Sequence, residues 1–210
     1  MSSDWSSDVC SSDLSFAFTE LISSVTRNSV LFRSVADTPA ASHGFTRLHC
    51  LDSPMEVAIL TVGDELLAGD TENTNASWVA RQVTARGATV TRMLTVPDDA
   101  SLIARTVREW HAAFDAVVVS GGLGGTHDDV TMAAVADAFD RELVVEDDVA
   151  ADVVETARAY QEANPELVAE YDDLDIDVDA WASTPDGAEP LLNPTGLSPG
   201  CVVEDVYVFP

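Results

Sequence analysis

At 210 residues and 46% hydrophobic content the chain has room for one domain of ordinary size with a real core, which excludes global disorder. Its 37 Asp+Glu against 10 basic residues, all of them arginine, give a net charge of −27 and leave no basic stripe for nucleic acid. No apolar run approaches the roughly 20 residues of a membrane span, no signal-peptide pattern opens the chain, and Cys10, Cys50 and Cys201 show neither disulfide-framework nor zinc spacing; a cytoplasmic protein is expected.

Residues 1–54 do not read as protein. They contain repeats of Ser-Ser-Asp and the string Leu31-Phe32-Arg33-Ser34. The nucleotide string CTCTTCCGATCT encodes Leu-Phe-Arg-Ser in one frame and, shifted by one base, Ser-Ser-Asp-Leu. We expect an extraneous, unstructured segment of adapter-like translation, with Met55 opening the domain that runs over 55–210.

Glu56–Val62 is a short β-branched run, predicted as a buried strand that stops at Gly63-Asp64-Glu65. Asn73 or Thr74 caps a predicted helix with Trp78, Val79 and Val83 at helical spacing. Ala88–Leu94 reads as a second strand, and Pro97-Asp98-Asp99 opens a helix with Leu102, Ile103, Val107 and Trp110 on one face. Asp115–Val119 is a third, very apolar strand that runs into Ser120-Gly121-Gly122-Leu123-Gly124-Gly125-Thr126-His127-Asp128-Asp129. A helix with Val130, Ala133, Ala134, Val135 and Ala138 as its packing face follows, then a short strand at Leu143–Val145. Sixteen acids and two arginines between Asp137 and Asp179 read as a solvated surface, and Cys201–Phe209 as one final strand after the turn-rich stretch Asn193–Gly200. Strands alternating with helices mean a largely parallel sheet, with ligands beyond the carboxyl ends of the strands.

A glycine loop that closes a buried strand and opens a helix suits an anion, because Gly lets the backbone approach and free N–H groups attract phosphate. Ser120, Gly121, Gly122, Gly124, Gly125 and Thr126 form such a loop, which is neither a lysine-bearing P-loop nor a dinucleotide fingerprint. Carboxylates beside phosphate repel it unless a divalent cation bridges them, so Asp129 implies Mg²⁺ or else a helix cap, and Asp98 is open to the same two readings.

The run Thr61-Val62-Gly63-Asp64-Glu65-Leu66-Leu67, with Gly69 and Asn73-Thr74-Asn75, resembles the opening motif of the molybdopterin-binding (MoaB/Mog-like) domain family. Within that family the chain is similar to the N-terminal domains of competence/damage-inducible protein A (CinA), which Ser120–Thr131 and Asn193–Gly200 resemble in order and spacing. The resemblance implies a three-layer α/β/α fold with a mostly parallel sheet, and a ligand that is molybdopterin or a nucleotide. It places Glu65, Asp98 and Asp129 as catalytic and metal-holding acids, and Asp64, Asn73, Asn193, Gly196 and Gly200 beside the glycine loop as ligand contacts. Gly125 stands where the family usually has proline. The family continues past the last strand with a further loop and helix, so the domain is expected to be cut short at its C-terminus.

The expected activity is pyrophosphate-bond chemistry with Mg²⁺, as nucleotide pyrophosphatase or as adenylyl transfer in molybdenum cofactor biosynthesis. A non-catalytic ligand-binding or sensor module is the alternative. The expected partners are a small phosphorylated ligand and further copies of the chain in a homo-dimer or homo-trimer, with neither nucleic acid nor membrane.

The acid is spread rather than gathered in a tail, and lysine is absent, as suits an archaeal halophile. Within 55–210, 31 acids against 7 arginines leave −24. Self-repulsion at low ionic strength then opposes the compact state, and molar salt, with a Debye length of about 3 Å, removes it. The expected outcome is a melting temperature that climbs between dilute buffer and molar KCl; a flat profile would contradict the halophilic reading.

Overall fold

The computed structural model describes residues 54–124, 129–163, 177–193 and 196–210. The expectations for the leading segment, for Gly125 and Thr126, and for the acid-rich stretch over 164–176 lie outside the described residues.

In chain order the elements are β1 (Glu56–Val62), α1 (Asp64–Ala68), α2 (Thr74–Ala85), β2 (Thr89–Val96), α3 (Ala100–His111), β3 (Ala116–Ser120) and α4 (Thr131–Ala138). Then come β4 (Leu143–Val145), α5 (Asp147–Ala163), α6 (Val178–Ala182), β5 (Ser183–Pro185), β6 (Glu189–Leu191), β7 (Gly200–Val203) and β8 (Val206–Phe209). The main sheet has the order β2-β1-β3-β8-β7-β6. β2, β1, β3 and β8 pair in parallel, while β7 and β6 add an antiparallel edge. β4 pairs with β5 in a separate antiparallel ribbon.

Strand periodicity sorts the core into two layers. Ala58, Leu60, Val62, Val117 and Val119 face α3 and α4, and meet Ile103, Val107, Trp110, Ala134 and Val135. Val57, Ile59, Ala116 and Val118 face the other way, against Ala76, Val79 and Val83 of α2. Helices on both faces of a mostly parallel sheet make the three-layer α/β/α arrangement.

Several sequence expectations are corrected. The stretch after β1 carries a one-turn helix, α1, closed by Gly69 in the left-handed conformation. The expected final strand is a hairpin, because Glu204 takes a positive φ of 52° and turns the chain between β7 and β8. Ala133 is exposed, and Thr131 and Ala136 are buried in the packing face of α4 instead.

The two aspartates after Pro97 divide their work. Asp99 is the N-cap of α3 and accepts from Leu102 N at 3.0 Å and from Ser101 Oγ at 2.7 Å. Those bonds favour the charged form, Ser101 most, and hold the Asp99 carboxyl below the ordinary carboxylate value. A depressed folded pKa means stability that is present above the unfolded pKa and lost as pH falls through the folded one. Asp99→Ala is therefore expected to lower the melting temperature at neutral pH by roughly 2–4 °C. The gap to wild type should close on the acid limb, and thermal melts across pH 7 to 3 check it.

Candidate functional site

The carboxyl ends of β1, β2, β3 and β8 lie along one edge of the sheet, and the segments 63–72, 97–99, 121–124 and 196–199 meet there. Cross-bonds tie them together. Gly63 N donates to Val96 O at 3.1 Å, and Asp64 N donates to Asp98 Oδ2 at 3.0 Å. Ser198 Oγ, buried, donates to Leu123 O at 2.7 Å and joins the last segment to the glycine loop.

β3 ends in Ser120, buried and bonded to Pro210 O at 3.3 Å. The next residue, Gly121, has φ +98° and sends its amide to Phe209 O at 3.2 Å. A Cβ there would fall on the backbone oxygen of Val62, so only glycine lets the chain turn over the end of β1. Gly122, with φ +66°, continues the turn. Beyond it, the amides of Gly122, Leu123 and Gly124 donate to no acceptor among the described residues. α4 begins just past the loop, and its N-cap is Val130, which supplies no side-chain cap. These amides and the start of α4 bring partial positive backbone charge to an edge that has no cationic side chain.

Two carboxylates border the same backbone. Asp98 Oδ1 would stand 3.2 Å from a Cβ on Gly122, and a Cβ on Gly124 would fall on the carboxylate of Asp129. Neither acid is the N-cap residue of the helix that follows it: that residue is Asp99 for α3 and Val130 for α4. Glu65 folds its carboxylate back over Gly63, where a Cβ would meet Oε1 at 2.5 Å. Asp64 contributes its amide, and its side chain is exposed. Among the described residues no three His, Cys, Asp or Glu side chains form a group that could hold a metal ion, so Glu65, Asp98 and Asp129 are not brought together as a triad.

The remaining sequence candidates take framework positions. Asn73 caps α2 by accepting from Ala76 N at 3.1 Å, and donates to Thr61 Oγ1 at 2.7 Å and Thr95 Oγ1 at 3.1 Å, which uses both amide hydrogens. Asn193 Oδ1 accepts from Gly196 N at 3.0 Å, and its Nδ2 donates to Ser198 O at 3.2 Å, shaping its own loop. Gly196 lies against that side chain, and Gly200 is the first residue of β7, where a Cβ would strike Val208 O. Sequence reasoning missed the roles of Thr61, Thr95, Asn75, Thr131 and Ser198. Asn75 Nδ2 donates to Ser120 Oγ at 3.3 Å. Their one signal was a polar side chain at a strand end or in a motif, and the partners that give it meaning lie far away in sequence.

Residues 58–210 match the family model described as probable molybdopterin binding domain. A protein of Archaeoglobus fulgidus is 38% identical over 156 residues, covering 74% of this chain and 62% of that one. A protein of Pyrococcus horikoshii is 40% identical over 157 residues, covering 72% of this chain and 60% of that one. The chain thus spans less than two thirds of the length of these relatives. Among solved structures, the crystal structure of the protein CinA, of unknown function, from Thermoplasma acidophilum superposes with a TM-score of 0.60 at 30% identity, covering 74% of this chain and 87% of that one. With the glycine loop, its flanking acids and the α/β/α layers all inside the matched stretch, the chain belongs to the molybdopterin-binding domain family.

Proposed function

We propose that this domain binds a phosphorylated pterin or nucleotide by its pyrophosphate, on the amides that follow β3, and supports chemistry at the pyrophosphate bond. The observation that carries the reading is the run of amides at Gly122, Leu123 and Gly124, none of which donates to an acceptor among the described residues, just before α4, whose N-cap Val130 has no capping side chain. Backbone N–H groups in such a turn match phosphate oxygens.

The charge balance of the edge calls for a cation. The segments that meet there carry Asp64, Glu65, Asp70, Glu72, Asp98 and Asp99, with Asp129 just past the glycine loop, and no Arg or Lys. Mg²⁺ suits such a place because it takes one or two carboxylates together with phosphate oxygens and water, and needs no preformed cage. Asp98 and Asp129, each against a glycine of the phosphate loop, are the residues that would hold it. Bound there, the ion would neutralise phosphate charge and polarise a phosphoryl oxygen. The protein's own contribution is orientation: the amides seat the phosphates, the Asp64 amide fixes Asp98, and Ser198 holds the loop at Leu123. Adenylyl transfer to molybdopterin and hydrolysis of an ADP-ribose-type dinucleotide are the two reactions such a site serves. A binding or sensor module is the second reading, favoured by the lack of a three-acid cluster among the described residues. Turnover of ATP or ADP-ribose with MgCl₂ separates the two.

Asp129→Asn keeps the size of the side chain and removes the charge a hard cation needs. It is expected to weaken ATP binding in MgCl₂ by at least about tenfold, with little change in melting temperature. Equal affinity in isothermal titration would remove Asp129 from the site.

Gly124→Ala tests the cradle. Gly124 is not among the positive-φ glycines, so backbone strain does not enter. The added methyl meets the movable end of Asp129 rather than backbone. Stability should therefore hold within about 1 kcal/mol while affinity for ATP falls by about tenfold or more. Normal affinity in the folded variant would defeat the phosphate-loop assignment.

A further inference from the structure

Thr131 is the first residue of α4 and is fully buried, yet its hydroxyl makes no hydrogen bond. A buried polar group without a partner is costly and calls for a reason. A helical threonine often returns its hydroxyl to the carbonyl four residues back, as Thr106 does to Leu102 O at 2.7 Å. At the first position of a helix no helical carbonyl lies four residues back, so that outlet is lost.

What surrounds the hydroxyl is the glycine loop. Thr131 N donates to Gly122 O at 3.2 Å, and its hydroxyl faces the same residue, where a Cβ on Gly122 would fall on Thr131 Oγ1. That same Cβ would stand 3.2 Å from Asp98 Oδ1. A hydroxyl able to donate and a carboxylate oxygen able to accept thus converge on one glycine without bonding each other. The other oxygen of Asp98 is already held by the Asp64 amide at 3.0 Å.

We propose that Thr131 is a positioning residue for Asp98. When a ligand draws the Gly122–Gly124 amides toward its phosphates, the Thr131 hydroxyl donates to Asp98 Oδ1 and fixes that carboxylate. Because Thr131 is fully buried, a ligand does not reach it, and Asp98 is the acceptor that faces the same glycine. Asp98 is then held through both oxygens, by the Asp64 amide at one and by Thr131 at the other. The bond left unmade in the free fold is recovered in the liganded one, which links loop occupancy to the orientation of the acid. This role rests on the ligand-binding reading of the glycine loop given above.

Thr131→Val keeps the shape of the side chain and removes the hydroxyl, while Thr131→Ser keeps the hydroxyl and loses a methyl. The full chain and both variants are melted without ligand, then titrated with ATP and with ADP-ribose in MgCl₂. Ligand-free Thr131→Val should melt at or above wild type, because an unpaired buried hydroxyl has been removed. Its affinity for the bound probe should fall by at least about tenfold, and that of Thr131→Ser should stay within about threefold of wild type. Adding Thr131→Val to Asp98→Asn should weaken binding no further, since the valine acts only through Asp98. A lower melting temperature for ligand-free Thr131→Val, or a full second loss on top of Asp98→Asn, overturns the proposal. If wild type binds neither probe, the glycine-loop reading falls and this role with it. If wild type binds and Thr131→Val binds equally well, the positioning role alone falls.

Discussion

Where β3 ends, the chain passes so close to the carbonyl of Val62 that a residue with a Cβ has no room, and the whole site follows from that crossing. Gly121 makes the turn with its own amide tied to Phe209 O, so the loop is pinned between the ends of β1 and β8. The next three amides have no acceptor among the described residues, and the chain re-enters a helix whose N-cap, Val130, has no capping side chain. Amides presented this way at a strand-to-helix turn are what the proposed phosphate site uses.

The second constraint is charge. The edge gathers backbone donors, yet its side chains are acids, with Asp98 and Asp129 lying against the two glycines they border. Amides attract phosphate while carboxylates repel it, and the two are reconciled when a divalent ion shares the phosphate oxygens with the acids. Asp98 has one oxygen on the Asp64 amide and the other turned to Gly122. Asp64 itself enters through its backbone, which is why its exposed side chain matters less than its place in the chain.

Beneath the loops runs a polar lattice that keeps the strand ends in register. Thr61 and Thr95 face each other across β1 and β2 at 2.9 Å, and Asn73 donates to both. Asn75 reaches Ser120 on β3 from the same helix start. A helix cap is thereby also a cross-strand clamp, and α2 is seated on the sheet by hydrogen bonds at one end and by Val79 and Val83 along its length. Asn73 is thus better understood as framework than as a ligand contact, since both of its amide hydrogens are used.

By itself the sequence determined the strands between Glu56 and Ser120, the helices up to Ala138 other than the one-turn α1, and the parallel order they imply, because burial writes apolar periodicity directly into the chain. It also singled out the glycine loop, although glycines at such a junction serve tight strand–helix packing as well as an anion. Only the tertiary structure decided which of Asp98 and Asp99 caps α3, that the N-cap residue of α4 is Val130, and that the last apolar run folds back as a hairpin at Glu204. Only it showed Thr131 buried without a partner and Ser198 reaching Leu123. The physical reason is range: periodicity and caps are local patterns, whereas a hydrogen bond such as that from Ser198 to Leu123 joins residues 75 positions apart, and nothing in either neighbourhood encodes the other.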